Sequence, residues 1–144
     1  MARKLLLTVV LLVGAWFGYD LSGSAQWQNE AAPATGSELQ SVIAARRSDT
    51  QVQGSGTVTR VLSDDNEGSR HQRFILRLAT GESLLVAHNI DLAPRVAGLS
   101  VGDTVSFNGE YEWNDRGGVI HWTHDDPRGS HVGGWVEHNG RRYK

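Results

Sequence analysis

The chain has 144 residues, enough for one small domain with a single core and little more. Its 14 Lys and Arg against 16 Asp and Glu give a formal net charge of -2, which argues against bulk attraction to nucleic acid or anionic lipid and makes any basic site local. There is no cysteine, so disulfides, thiolate nucleophiles and thiolate metal ligands are excluded, and any metal must be held by His, Asp or Glu.

The N-terminus has the form of an export signal. Arg3 and Lys4 precede an apolar run, Leu5 to Gly18, of signal-peptide length and short for a membrane span. Gly23-Ser24-Ala25 supplies the small residues for cleavage after Ala25. The alternative for residues 1–25 is an uncleaved anchor, which would be the chain's one membrane attachment. On either reading the domain is exported, to the periplasm or the extracellular space. Residues 26–50 read as a linker and a short helix. Ser37 and Gln40 have capping-box spacing, and Leu39, Val42 and Ile43 share one helical face. Arg46 and Arg47 suit the helix C-terminus, and the helix is expected to pack on the domain.

From 51 to 144 the period becomes two. Strands are predicted over Val52–Leu62, His71–Leu78, Ser83–His88, the alternating run that begins at Thr104, and Val119–His124. Gly54 and Gly56 share a face of the first strand, as in a sharply coiled barrel strand. In the fourth, Val105, Phe107, Tyr111 and Trp113 form the apolar side, interrupted by Gly109, so Trp113 is expected in the core. Trp122 shares a face with Ile120 and is drawn the same way. Asn89 to Ser100, with Pro94, is irregular. Asn139-Gly140 between two short alternating runs predicts a type I′ hairpin, expected to fold on the barrel and partly over the preceding histidine-rich segment. The fold class is therefore mainly β: a small five-stranded OB-fold-like barrel with an N-terminal short helix and a C-terminal hairpin, a small sandwich being the alternative.

Residues 54–143 resemble a family of small exported bacterial proteins, domain of unknown function 3465. The resemblance rests on GSGTV at 54–58, LSDDNEGSRHQRF at 62–74, AHNIDLAP at 87–94, VGD at 101–103, GEYEWN at 109–114 and GGVIHWTHDDPRGSHVGGW at 117–135. It implies a small exported β domain and transfers no catalytic residue.

Chemistry concentrates in His121-Trp122-Thr123-His124-Asp125-Asp126-Pro127-Arg128-Gly129-Ser130-His131. In a continuous strand His121 and His124 point to opposite faces, so they converge only if the chain turns after Thr123. With such a turn, His121, His124, Asp125, Asp126 and His131 are candidate ligands for a divalent transition metal such as zinc or manganese. The bland alternative has an Asp capping the turn and His124 bonded locally. A second candidate surface is a ligand site of His71, Arg73, Arg77, His88, Trp122 and Arg128. OB-folds bind oligomers across strands two and three and the loops beside them, and arginine pairs with phosphate or carboxylate. There the bland alternative has Arg73 and Arg77 paired with Glu110 or Glu112 across strands. The acidic run Asp64 to Gly68 reads as a solvated turn and lacks EF-hand spacing. Ser130 beside His131 has no nucleophile-elbow setting.

Three functions follow. The first is an exported binding module for an anionic oligomer or a cell-envelope glycan. The second is a metal-dependent hydrolase of phosphodiesterase or nuclease type. The third is a structural or interaction module with no small ligand. Whether the protein is an enzyme stays open on the residues alone.

Overall fold

The alternation from Thr50 onward closes into a ring. The computed structural model describes residues 36–144; the expected signal (1–25) and the linker up to residue 35 lie outside the described residues. A helix, α1 (Gly36–Ala44), precedes seven strands: β1 (Thr50–Val61), β2 (His71–Arg77), β3 (Ser83–Asn89), β4 (Thr104–Glu112), β5 (Val119–His121), β6 (Trp135–His138) and β7 (Arg141–Tyr143). The long β1 pairs twice. Its first part lies antiparallel to β4, from Thr50↔Tyr111 to Thr57↔Thr104. Its second part pairs with β2, from Thr57↔Arg77 to Val61↔Phe74. With β2–β3, parallel β3–β5 and antiparallel β4–β5, the order β1-β2-β3-β5-β4 returns to β1. This is a closed five-stranded OB-fold-like barrel, not a sandwich.

Every second side chain points into the barrel, where Val52, Val58, Phe74, Leu76, Leu84, Val86, Val105, Phe107, Tyr111 and Ile120 are buried. Gly54 keeps room for α1. A Cβ there would stand 2.6 Å from Leu39 Cδ2 and 2.8 Å from Phe107 Cζ. Leu39 and Val42 accordingly reach the core, as the helical pattern predicts. Gln40 also reaches beyond the helix. Its amide donates to Thr80 Oγ1 at 2.6 Å, tying α1 to the β2–β3 turn.

The hairpin forms as predicted, with Asn139 at φ 50° and Gly140 at φ 75°, both left-handed as a type I′ turn requires. It lies on the barrel as expected: β6 pairs with Val105–Asn108 of β4, while β5 takes Glu110–Glu112, and Gly134, just before β6, donates its backbone N–H to the His124 carbonyl at 2.9 Å. The chain leaves that edge of β4 after β5 and returns to it in β6.

Two core expectations fail where a strand stops. Trp113 is 42% exposed, because β4 ends at Glu112; outside the core, its ring instead takes Arg46 at 5.0 Å. Trp122 is only half-buried, because β5 ends at His121 and Trp122 turns the chain with φ 52°. That turn interrupts the alternation, so Thr123 and His124 both follow it into buried positions.

Candidate functional site

The outside of the barrel holds two groups of polar side chains, one on each side of β5. The first is a cleft of about 380 Å³ over β1, β2, β3 and the β4–β5 turn, lined by Arg60, Arg73 and Arg116 with Leu62, Ile75 and Leu85 among the apolar residues. Arg73 and Ile75 follow from simple alternation, since Gln72, Phe74 and Leu76 are buried. Arg60 does not. The β1–β2 register slips between Val58↔Leu76 and Arg60↔Ile75, so Thr59 is an extra residue in β1. Without this bulge Arg60 would continue the inward row of Val52 and Val58; with it, Arg60 sits beside the outward Ile75. Arg116 comes from the turn between β4 and β5, whose Asn114 Oδ1 accepts from the backbone of Arg116 and Gly118, each at 2.9 Å.

None of the three guanidinium groups is paired with a carboxylate among the described residues. Arg73 Nε donates to the Ser63 carbonyl at 3.1 Å. The pairing of Arg73 or Arg77 with Glu110 or Glu112 does not occur, because those glutamates lie across β5 with histidine partners.

The second group lies on the outer face of β4 and β5. Glu110 and Glu112 point outward because Gly109 and Tyr111 point in. The register Glu110↔His121 sets His121 beside them. His121 Nε2 is 3.5 Å from Glu112 Oε1, and His131 Nε2 donates to Glu110 Oε2 at 2.6 Å. The Asp49 carboxyl group bonds Glu112 and raises its pKa, with burial adding to the rise and His121 opposing it. Burial disfavours the His131 imidazolium, but the Val132 carbonyl and the Glu110 carboxylate outweigh it and raise its pKa. Its ring stacks on Trp122 at 3.9 Å between centroids, with 11° between planes.

Of the residues expected to hold a metal, only His121 lies in a group whose ligand atoms approach one another closely. His124 is buried and its Nδ1 donates to the Asp125 carbonyl at 2.7 Å. Asp125 is exposed at the turn. Asp126 caps the loop: it accepts from the backbone of Arg128, Ser130 and His131 and from the Ser130 hydroxyl. The Arg128 amide first, opposed by burial and helped by the Ser130 and His131 bonds, brings its pKa down to about 2. His131 serves Glu110. The five therefore do not converge. The group that does, among the described residues, is Glu110, Glu112 and His121, with one ligand atom from each within 4.8 Å of the others.

The residues expected in the ligand site are dispersed too. Arg73 lines the cleft. Arg77, at the end of β2, lines a separate groove of about 420 Å³ with Ser55, Thr57 and Thr104. His71 stands at the start of β2 with Nδ1 2.8 Å from the Ser69 carbonyl. His88 is corrected outright as a surface residue. It is fully buried, its Nε2–H donates to the Pro94 carbonyl at 2.9 Å, and Nδ1 accepts from the Thr123 hydroxyl at 2.7 Å. Burial lowers its pKa against the opposing Pro94 bond, so it is a neutral staple between β3 and two loops. Trp122 stacks one ring face on His131 and lies 5.1 Å from His124 in a tilted contact, so it joins the histidine side and not the arginine cleft. Arg128 is exposed on the loop, away from the cleft lining. Sequence reasoning missed Arg60, Arg116, Glu110 and Glu112 as site residues. The outward parity of Glu110 and Glu112 was a readable signal; the bulge behind Arg60 had none.

The family model described as "Protein of unknown function (DUF3465)" matches residues 23–144. No curated protein matches the chain at a significant level. Among solved structures, the hypothetical protein ygiW from E. coli is similar at 22% identity, over 63% of this chain and 84% of that one, with a TM-score of 0.40.

Proposed function

The chain belongs to the DUF3465 family, whose description assigns no activity, and on the chemistry of its own surface we propose that it is an exported binding module for an anionic oligomer, with an acidic cell-envelope glycan as the first class to try. The observation that carries this reading is the arginine cleft. Three segments distant in sequence each contribute a guanidinium to one concavity, and none of the three is neutralised by a carboxylate among the described residues. Arginine offers a planar fork that binds carboxylate, sulfate or phosphate through two parallel hydrogen bonds. Ile75 and Leu85 form an apolar floor between these cations. Such a floor suits the non-polar face of a sugar ring, while the rim takes the acidic groups. The cleft also occupies the strand-two and strand-three surface, with the β4–β5 turn, that barrels of this type use for oligomers. The export half of the proposal rests on the pattern of Arg3, Lys4 and the apolar run to Gly18.

The test is fluorescence anisotropy with a labelled uronic-acid oligosaccharide, a neutral glucan of equal length and a single-stranded oligonucleotide. Saturable binding of the acidic oligosaccharide, weakened by salt and absent for the glucan, is the expected result. Arg73→Ala with Arg116→Ala removes two charge-assisted contacts, each worth about 1.5–3 kcal/mol, and lowers affinity by about 100-fold or more. Equal binding of acidic and neutral oligosaccharides would remove the charge argument. Tighter binding of the oligonucleotide would move the ligand class to nucleic acid.

A further inference from the structure

We propose that the outer face of β4 and β5 is a divalent metal site of the zinc type, with Glu110, Glu112 and His121 as its protein ligands. The site uses none of the cleft arginines and does not depend on what the cleft binds.

Strand geometry builds it. Glu110 and Glu112 are two residues apart on one strand and so share a face. His121 is directly opposite Glu110 on the neighbouring strand, on that same face. One ligand atom from each lies within 4.8 Å of the other two. Ligand atoms around one tetrahedral ion, with bonds of about 2.0–2.2 Å, stand about 3.4 Å apart. Side-chain shifts of about 1 Å therefore bring the three onto a single ion. Two carboxylates and a neutral imidazole balance a 2+ charge, and mixed oxygen and imidazole donors are what borderline metals accept.

An independent observation points to a missing partner. The His121 side chain is 32% exposed, but its Nε2 is shielded from solvent and makes no close hydrogen bond among the described residues, only a long contact with Glu112. A buried polar atom without a partner costs free energy, and such atoms are uncommon in folded proteins. Its ion-pair partner Glu112 Oε1 is 3.5 Å away, longer than a good N–H···O bond. An ion between His121 and the glutamates would give that nitrogen a close partner, beside the bonds Glu110 already has to His131 and Glu112 to Asp49.

The surrounding residues orient the ligands. His131 fixes one oxygen of Glu110 at 2.6 Å, and His131 is itself held by the Trp122 stack and by the Val132 carbonyl at 2.7 Å. Outer partners of this kind set the direction of a ligand's lone pair and support its affinity. Three protein ligands leave a coordination position for water or an incoming group.

The experiment is titration of the full metal-free chain with Zn²⁺ by calorimetry and with Co²⁺ by visible absorption. The expected result is one ion per chain with the intense visible bands of four-coordinate Co²⁺. Glu110→Gln with Glu112→Gln abolishes saturable binding, and circular dichroism checks that this variant stays folded. His131→Gln, which touches only an outer partner, weakens binding by about 10-fold. Arg73→Ala leaves it unchanged. A Co²⁺ spectrum that stays that of the hydrated ion would overturn the site. So would stoichiometric binding that survives the double glutamine substitution.

Discussion

The two outer surfaces beside β5 belong to one continuous row of the barrel. Glu112 pairs with Val119, Val119 with Leu85, Leu85 with Ile75 and Ile75 with Arg60. One end of the row is acidic, the other basic, and the middle is aliphatic. On the acidic side each glutamate has a partner: His131 for Glu110, and Asp49 with His121 for Glu112. On the basic side the arginines have no carboxylate among the described residues. A net charge of -2 over the whole chain thus conceals two local surfaces of opposite sign. The difference teaches that the acidic side chains bond one another and their histidine neighbours, whereas the cleft arginines have no carboxylate partner among the described residues.

The largest expected effect removes the scaffold both surfaces share. Phe107 is fully buried in β4. Phe107→Ala should cost about 3–5 kcal/mol in chemical denaturation, from lost burial and the cavity left behind. Anionic-ligand binding and metal binding should then fall together, by the unfolded fraction. A loss of one without the other would show that the two surfaces do not depend on a common barrel.

Smaller changes should separate them. Arg60→Ala should weaken the acidic oligosaccharide by about 10-fold, from one charge-assisted contact of about 1.5 kcal/mol, and leave Co²⁺ spectra unchanged. The bulge gives a companion prediction. Deleting Thr59 should turn Arg60 inward, so its effect on binding should be at least as large as that of Arg60→Ala.

The loop cap tests the acidic side by pH. Asp126 has a pKa of about 2 when folded, against an ordinary value of about 3.9 in the unfolded chain. A depressed carboxyl pKa stabilises the fold above the unfolded value, and this contribution is lost as pH falls through the folded value. Amide exchange at Ser130 and His131 should therefore accelerate as pH falls from about 4 to about 2, after correction for intrinsic rates. Asp126→Asn should show that faster exchange already at neutral pH, with the cleft unaffected.

The smallest effect lies on neither surface. Arg142 pairs with Glu137 at 2.7 Å and covers Trp135 at 4.0 Å, largely in solvent. Arg142→Ala should cost about 0.5–1 kcal/mol in thermal or chemical denaturation. It should change neither binding property.

Most of the barrel was legible because its signals are local. The alternation of Val105, Phe107 and Tyr111, the Asn139-Gly140 turn and the inward glycine of β1 all act within a few residues. The sites were less legible because they depend on register and on backbone exceptions. The outward parity of Glu110 and Glu112 can be read from β4 alone. That His121 faces Glu110 depends on the length of the Asn114–Gly118 turn. One positive φ at Trp122 sent Thr123 and His124 inward and made His124 a local hydrogen-bonding residue. One extra residue at Thr59 turned Arg60 out. Arg73 was readable because β2 has neither exception.

The central claim is that the arginine cleft, and not the histidine–glutamate face, receives the anionic ligand. The most direct measurement compares oligosaccharide affinity in the Arg60→Ala/Arg73→Ala/Arg116→Ala and Glu110→Gln/Glu112→Gln proteins. The account predicts that binding is lost in the first and retained in the second. Retained affinity in the arginine variant, with loss in the glutamate variant, would contradict it.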